Sequence, residues 1–255
     1  DYSYNPGAGI NFANEQSIFQ KMAARAVLDA VASYTDLVFE EIGDDFGENN
    51  AEGTLRFVDV TGINTAFGYY PNSGESGGDM AFKDGAYETP TLGSYQGLTF
   101  AHEVGHALGL KHGHETSGPG AINTDQDSME YSMMTYRSFA GQDMDALPFY
   151  VNSKGHYAQS AMMLDIAALQ RMYGDNHTTA SGDTVYTFDS TTGQMMATEG
   201  GIGFQSDQSS YVNGSGTQVF TNVTFRTIWD GDGVDTYDLS IQPYPDCCTL
   251  FAPSH

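Results

Sequence analysis

The chain has 255 residues, of which 40% are hydrophobic and 13% aromatic, enough for one large core or two small ones. Its 33 acidic residues outnumber the 9 basic ones and give a formal net charge of −24, so we expect neither nucleic acids nor membrane surfaces as partners. No stretch of the sequence reaches the roughly 20 apolar residues of a membrane-spanning helix.

The N-terminal part of the chain predicts one helix and several short strands. Residues 1–13 are polar and contain Gly and Pro, which predicts an arm on the surface. Apolar residues recur at three- and four-residue steps between residues 14 and 34, the spacing of an amphipathic helix. An acidic, Gly-rich loop is expected at 43–53. The strands are predicted at 55–60, 65–70 and 79–82.

The next segment, His102 to His112, fills every specified position of H-E-x-x-H-x-x-G-x-x-H. Residues four apart share a helix face, so His102 and His106 can bind one metal ion. Glu103 lies at the edge of that face, where it can hold a water molecule without ligating the metal. Gly109 allows a sharp turn out of the helix that makes His112 a third ligand. Three imidazoles and one open position predict a catalytic zinc site.

Two further segments follow the zinc motif. Residues 131–136 read Tyr-Ser-Met-Met-Thr-Tyr, and residues 162–174 have the pattern of an amphipathic helix that Gly174 would end. After Gly174 the chain is rich in Thr, Ser, Gly and Asp, with strands predicted at 184–188 and 217–228. The adjacent Cys247 and Cys248 form no disulfide framework, and we expect neither to bind zinc.

The zinc motif, the 131–136 segment and the 162–174 helix together resemble the metzincin zinc proteases, and within them the serralysin-like branch. The resemblance implies an α+β fold. In it, a twisted, mostly parallel sheet with an antiparallel edge strand packs on the zinc-binding active-site helix and two further long helices. It also implies a catalytic domain at 1–180 and a β-rich C-terminal extension at 181–255. The extension would be the stub of a calcium-binding β-roll, because the repeated Gly-Gly-x-Gly-x-Asp nonapeptides are absent from the sequence.

The resemblance also assigns roles to residues around the zinc motif. Met134 would be the Met-turn residue beneath the metal, and Tyr136 a displaceable zinc ligand that stabilises the oxyanion. Arg137 stands where an aromatic residue is common, and would favour an acidic residue on the leaving-group side of the bond unless it turns to solvent. An edge strand would pair with the peptide substrate. The residues expected in that strand are Asp79, Met80, Ala81 and Phe82.

A second cation site is expected in the C-terminal part. The segment Trp229–Thr236 resembles the entry to the serralysin β-roll and contains Asp230, Asp232 and Asp235. Their oxygens could bind a hard cation such as Ca²⁺, although an ordinary Asp/Gly turn is the alternative. The expected cofactors are therefore Zn²⁺ and Ca²⁺.

The function that the resemblance implies is that of a secreted, extracellular zinc endopeptidase with Glu103 as the general base. A start at Asp1 without a leader fits a processed, secreted protein. The expected partners are protein or peptide substrates and a proteinaceous inhibitor, and we expect a monomer.

Other assignments remain open from the sequence. The astacin-like branch shares the zinc motif and the tyrosine but has Glu after the third histidine, where this chain has Gly113. A gluzincin takes its third ligand from a glutamate on a later helix. A non-catalytic calcium- and zinc-binding extracellular protein could use the same scaffold, although the intact Glu103 argues against it. An inactive precursor with residues 1–13 in the cleft is a further alternative.

Overall fold

The computed structural model describes residues 11–12, 16–42, 53–72, 74, 76–143, 149–199, 202–205, 208–221 and 223–240. Within these ranges the helices are α1 (Ile18–Tyr34), α2 (Tyr95–Ala107) and α3 (Met163–Tyr173). The strands are β1 (Asn11–Phe12), β2 (Arg56–Thr61), β3 (Ala66–Gly68), β4 (Asp79–Lys83), β5 (Thr184–Phe188), β6 (Met195–Glu199), β7 (Ile202–Gln205), β8 (Ser210–Val212), β9 (Gln218–Phe220) and β10 (Thr236–Asp238). None of the helices in these ranges is long and apolar enough to cross a lipid bilayer.

Helix α1 confirms the helix predicted between residues 14 and 34, and it begins at a capping box. Ser17 Oγ accepts a hydrogen bond from Gln20 N at 3.2 Å, while Gln20 Oε1 accepts one from Ser17 N at 2.6 Å. This exchange satisfies two backbone donors that a helix start leaves unpaired. The Gln20 amide then donates to both oxygens of Asp59 on β2, at 2.8 and 2.9 Å, which fixes α1 against the sheet.

The first sheet has the strand order β1-β2-β4-β3. Strands β2 and β4 are parallel, whereas β1 pairs with β2 and β3 pairs with β4 in antiparallel fashion. The expectation of a mostly parallel sheet is therefore wrong for the described strands, since one of the three pairings is parallel. The chain reverses direction between β3 and β4, and this reversal makes β3 the antiparallel edge strand.

Strand β4 is not the edge strand that the sequence suggested. It lies between β2 and β3, and Asp79, Met80, Ala81 and Phe82 are each at most 1% exposed. A strand with a neighbour on each side cannot offer its backbone to a substrate, because both neighbours already use its hydrogen-bonding groups. The expectation that residues 79–82 form the edge strand is therefore wrong, and β3 is the edge strand on this side of the sheet.

The core of this part joins the sheet to α2. Phe82 of β4 stacks on Phe100 of α2 with ring centroids 4.1 Å apart, and Phe57 of β2 lies 6.2 Å from Phe100. Phe82 and Phe100 are fully buried, and each such side chain stabilises the fold by about 1.5–3 kcal/mol. The stack holds α2 in place under the sheet.

The C-terminal part forms a second sheet of order β10-β5-β6-β7 and a separate hairpin, β8-β9. Strand β5 confirms the strand predicted at 184–188, whereas the one predicted at 217–228 is reduced to β9. Trp229 Nε1 donates to Asn176 O at 2.7 Å, and Ser210 N donates to Leu92 O at 2.8 Å, so this part packs on the N-terminal part. A domain boundary near residue 180 stays a prediction, and Cys247 and Cys248 lie outside the described residues.

Candidate metal centre

Helix α2 ends in a way that returns the chain toward its own histidines. Gly109 has a φ of 100°, a left-handed conformation that favours glycine. Gly109 N donates to His106 O at 2.9 Å and Leu110 N donates to Gly105 O at 2.8 Å. These two bonds make up a Schellman motif. The turn predicted at Gly109 is therefore confirmed, and it brings His112 to the buried face of α2.

The three histidines of the motif converge. Their ligand-type nitrogens lie within 4.8 Å of one another. The Nδ1 atom of His102 lies 2.9 Å from Met133 O, and that of His106 lies 2.8 Å from Leu110 O. The Nδ1 atom of His112 lies 2.8 Å from a Glu115 carboxylate oxygen. Since these oxygens can only accept, each Nδ1 carries the hydrogen and each Nε2 keeps a lone pair.

The arrangement of the Nε2 atoms fits a zinc ion. His106 Nε2 and His112 Nε2 lie 3.0 Å apart, and two bare lone pairs at that distance repel unless a cation lies between them. Burial lowers the pKa of His102 to about 3 and that of His106 to about 4, so both rings are neutral at pH 7. Neutral imidazole is the form that binds a metal, and zinc accepts three of them.

Glu103 is buried beside these rings. It is 5% exposed, and its Oε2 atom has no hydrogen-bond partner among the described residues. Burial raises the pKa of Glu103 to about 8, and the Gly68 N–H acts in the opposite direction. A divalent cation on the histidines would lower this pKa toward neutrality, the range in which a carboxyl group can both take up and release a proton.

A cleft of about 310 Å³ opens above the histidines. Strand β3 forms one of its walls and runs so close to α2 that only glycine fits at position 68. A Cβ atom there would lie 2.6 Å from Glu103 O and 3.1 Å from His106 Cβ. The residues that line the cleft are Ala66, Phe67, Gly68, Tyr70, His102, Glu103, His106, His112, Glu115 and Tyr136.

The segment predicted to form the Met-turn packs against α2, and its role as a Met-turn stays a prediction. Met134 is 2% exposed and packs against α2 at Gly105, where a Cβ atom would lie 2.6 Å from its sulfur. Tyr136 follows, and its hydroxyl lies 2.7 Å from His112 Nε2. Burial raises the pKa of Tyr136 to about 12, so the phenol keeps its proton and can act as a donor at neutral pH.

Asp165 of α3 is a supporting residue that the sequence analysis missed. Its carboxylate accepts hydrogen bonds from Ser132 Oγ at 2.6 Å, Met133 N at 2.7 Å and Met162 N at 2.9 Å. Met133 O in turn accepts the hydrogen bond from His102. A signal was available in the sequence, because Asp165 lies four residues before the buried Leu169 and so on the apolar face of α3.

Arg137 does not take the place that was expected for it. Its guanidinium forms an ion pair with Asp127, and its Nε atom donates to Gln142 O at 2.8 Å. Asp127 also accepts a hydrogen bond from Thr135 Oγ1 at 2.6 Å. Arg137 is absent from the described lining of the cleft. The expectation that Arg137 selects an acidic substrate residue stays a prediction, and its ion pair with Asp127 gives that expectation no support.

The acidic residues expected to bind calcium are used as local hydrogen-bond acceptors. Asp230 accepts from the Tyr186 hydroxyl at 2.5 Å, and Asp235 accepts from Thr184 N at 3.0 Å. Asp232 accepts from Gly233 N at 2.9 Å. Calcium at this place stays a prediction.

Elsewhere in the described chain, one group of carboxylates comes as close together as the three histidines do. Its members are Asp59, Asp84 and Glu88.

The α+β fold and the three converging histidines are consistent with a metallopeptidase domain of the metzincin type. Residues 44–168 match the family described as Metallo-peptidase family M12B Reprolysin-like. The chain is 31% identical to Serralysin B of Dickeya chrysanthemi over 87% of its own length, and 32% identical to Serralysin of Proteus mirabilis over 87%. It is 30% identical to Metalloprotease AprA of Pseudomonas entomophila over 91% of its length.

The chain belongs to the metzincins, with a catalytic domain of the serralysin-like branch. It spans 43%, 44% and 45% of the lengths of these three curated relatives, so it corresponds to somewhat less than half of each.

Proposed function

We propose that this chain is a zinc endopeptidase that hydrolyses internal peptide bonds of proteins. The observation that carries the proposal is the convergence of the His102, His106 and His112 rings beside Glu103, one carboxylate oxygen of which has no partner among the described residues. A zinc ion held by the three rings would supply Lewis acidity, which lowers the pKa of water to about 7 and polarises a carbonyl group.

The remaining chemistry belongs to two side chains of the chain itself. Glu103 takes a proton from the attacking water and passes it to the leaving amine, for which its raised pKa is suited once a cation on the histidines has lowered it toward neutrality. The Tyr136 hydroxyl, which faces His112 Nε2, donates a hydrogen bond to the oxyanion that forms during attack. Before that step Tyr136 would be a displaceable zinc ligand, and the position of its hydroxyl beside His112 Nε2 supports this role as well.

The substrate would bind along the edge strand β3. This strand ends the order β1-β2-β4-β3 and lines the cleft. An extended peptide could therefore add to it antiparallel, which brings one peptide bond over the histidines. The described residues Asn11–Phe12 pair with β2 at the opposite edge of the sheet. They give no support to the alternative of an inactive precursor with this arm in the cleft.

The test is a zinc determination by mass spectrometry together with casein cleavage, with and without a zinc chelator. About one zinc ion per chain, cleavage abolished by the chelator and cleavage restored by zinc are the expected results. Zinc without cleavage would favour the non-catalytic calcium- and zinc-binding protein instead. A chain that binds no zinc would contradict the proposal.

Calcium binding, secretion and the monomeric state are separate proposals. The three carboxylates between Asp230 and Asp235 support calcium, which calorimetric titration of the wild type against Asp230→Asn would test. Membership of the serralysin-like branch supports an extracellular protease and a proteinaceous inhibitor. Detection of the protein in the culture supernatant would test secretion. Co-purification would test the inhibitor, and analytical sedimentation would test the monomeric state.

A further inference from the structure

We propose that Glu115 is the positioning residue of the third zinc ligand, His112. Its carboxylate holds the imidazole so that Nε2, and not Nδ1, faces the place where a zinc ion meets His102 and His106. The inference rests on the proposed function, because it concerns the same metal. It adds a residue outside the zinc motif on which the affinity of the site depends.

The three histidines share one kind of contact but not one kind of partner. The Nδ1 atoms of His102 and His106 lie 2.9 and 2.8 Å from backbone carbonyl oxygens. The Nδ1 atom of His112 lies 2.8 Å from Glu115 Oε1, a side-chain atom. Glu115 therefore supplies the acceptor that the backbone supplies to the other two. An acceptor at Nδ1 fixes the tautomer and the ring orientation of a metal-binding histidine.

The loop that carries Glu115 is itself held in place. The Nζ group of Lys111 donates to the backbone oxygen of Glu115 and, at 2.6 Å, to that of Gly120. Glu115 N donates to His112 O at 3.2 Å, which closes a tight turn. The side chain of Glu115 thus starts from a fixed backbone and reaches back three residues to the ring.

An ordinary surface ion pair is the alternative explanation of the same contact. Exposed pairs of this kind contribute little to stability, and the side chain of Glu115 is 33% exposed while that of His112 is 19% exposed. The two explanations differ in what they predict. A surface pair leaves zinc affinity unchanged, whereas a positioning residue changes zinc affinity with little effect on the zinc-free fold.

The test compares Glu115→Ala and Glu115→Gln with the wild type and with Glu130→Ala. Glu130 is an exposed carboxylate elsewhere in the same part of the chain, so its removal makes the same change in charge. The zinc dissociation constant is measured by competition with a chromogenic chelator at pH 7.5. The melting temperature of each zinc-free protein is measured beside it.

Glu115→Ala is expected to bind zinc about 10- to 100-fold more weakly, the range found when such a supporting contact is lost. Glu115→Gln keeps an oxygen acceptor and is expected to recover part of that loss. Glu130→Ala should bind zinc as the wild type does, and the zinc-free melting temperatures should agree.

A Glu115→Ala protein with the zinc affinity of Glu130→Ala would overturn the inference, as would a Glu115→Gln protein that binds no more tightly than Glu115→Ala. Both results leave the proposed function intact as long as the wild type binds zinc and cleaves casein. A wild type that binds no zinc would instead contradict the proposed function itself.

Discussion

At the scale of single residues, the environment of Glu103 matters most. The side chain is buried between α2 and β3, and one carboxylate oxygen has no partner among the described residues. An unsatisfied buried oxygen destabilises a fold by about 1–3 kcal/mol, so its presence beside three converging histidines indicates a functional role. The raised pKa of Glu103 has the same cause, which is burial.

The substitution Glu103→Gln tests that role. The amide has nearly the same shape but cannot take up a proton, so we expect zinc to be retained while kcat falls by roughly 10²- to 10⁴-fold. Peptide cleavage and zinc content are measured on the same preparation. Glu130→Gln, the same exchange at an exposed site, should cleave normally. Full zinc together with substantial turnover in Glu103→Gln would rule out the general base.

Gly68 is the second residue on which the site depends, and Gly68→Ala tests the close approach of β3 to α2. The added Cβ atom would lie 2.6 Å from Glu103 O, so β3 must move away from the helix. We expect kcat/KM to fall by about 10²-fold, as for a displacement near 1 Å. Gly214→Ala is the control, because its Cβ atom meets nothing within 4 Å. Equal activity of the two variants would contradict the close fit.

At the scale of elements, α3 supports the Met-turn through one carboxylate. Asp165 binds Ser132 and the backbone of Met133, and Met133 O holds His102. The zinc helix, the Met-turn and α3 are therefore connected by a continuous chain of hydrogen bonds. Burial raises the pKa of Asp165 from its ordinary value of 3.8 to about 6, so the connection is sensitive to pH.

The substitution Asp165→Asn tests this connection. Because the folded-state pKa is raised, the folded protein holds the proton more tightly than the unfolded chain does. The stabilisation is present in full below pH 3.8 and is lost as the pH rises through about 6. The asparagine cannot lose a proton, so we expect the wild type to lose unfolding free energy relative to Asp165→Asn between about pH 4 and 6. Urea unfolding of the zinc-free proteins measures this difference.

The control for that experiment is Asp125→Asn, an exposed exchange of the same kind. Its unfolding free energy should follow that of the wild type across the pH range. A constant difference between the wild type and Asp165→Asn would show that the carboxyl group does not titrate in this interval.

At the scale of the whole molecule, the formal charge of −24 dominates the electrostatics. Like charges spread over the surface repel one another and destabilise the compact state, and added salt screens that repulsion. The net negative charge therefore predicts that the folded protein is more stable in salt-rich solution.

We expect the melting temperature of the zinc-free protein to rise as sodium chloride is raised from 0.05 to 1 M. In a chain of this size, each kcal/mol of unfolding free energy gained corresponds to a rise of about 2–4 °C. Calorimetric scans at several salt concentrations measure it. Sodium sulfate at equal ionic strength is the comparison. It screens charge to the same extent, but it also stabilises the folded state because sulfate is excluded from the protein surface. A melting temperature that falls with sodium chloride would show that attractive ion pairs outweigh the net repulsion.

The sequence by itself determined the features that depend on local spacing. Helix geometry fixes which residues a few positions apart lie on the same face, so the sequence predicts that His102 and His106 lie together. The same local reasoning predicts the turn at Gly109 and the positions of α1 and α3. For the same reason the three-histidine site could be predicted before any fold was known.

Only the tertiary structure decided what depends on distant pairings. The edge strand proved to be β3 and not β4, because strand order is set by partners far along the chain. Asp165 meets the Met-turn across 33 positions, and Met133 meets His102 across 31. Arg137 turned to Asp127, since a nearby opposite charge outweighs its position after the Met-turn. No local pattern encodes such contacts, because they form only when the whole chain packs.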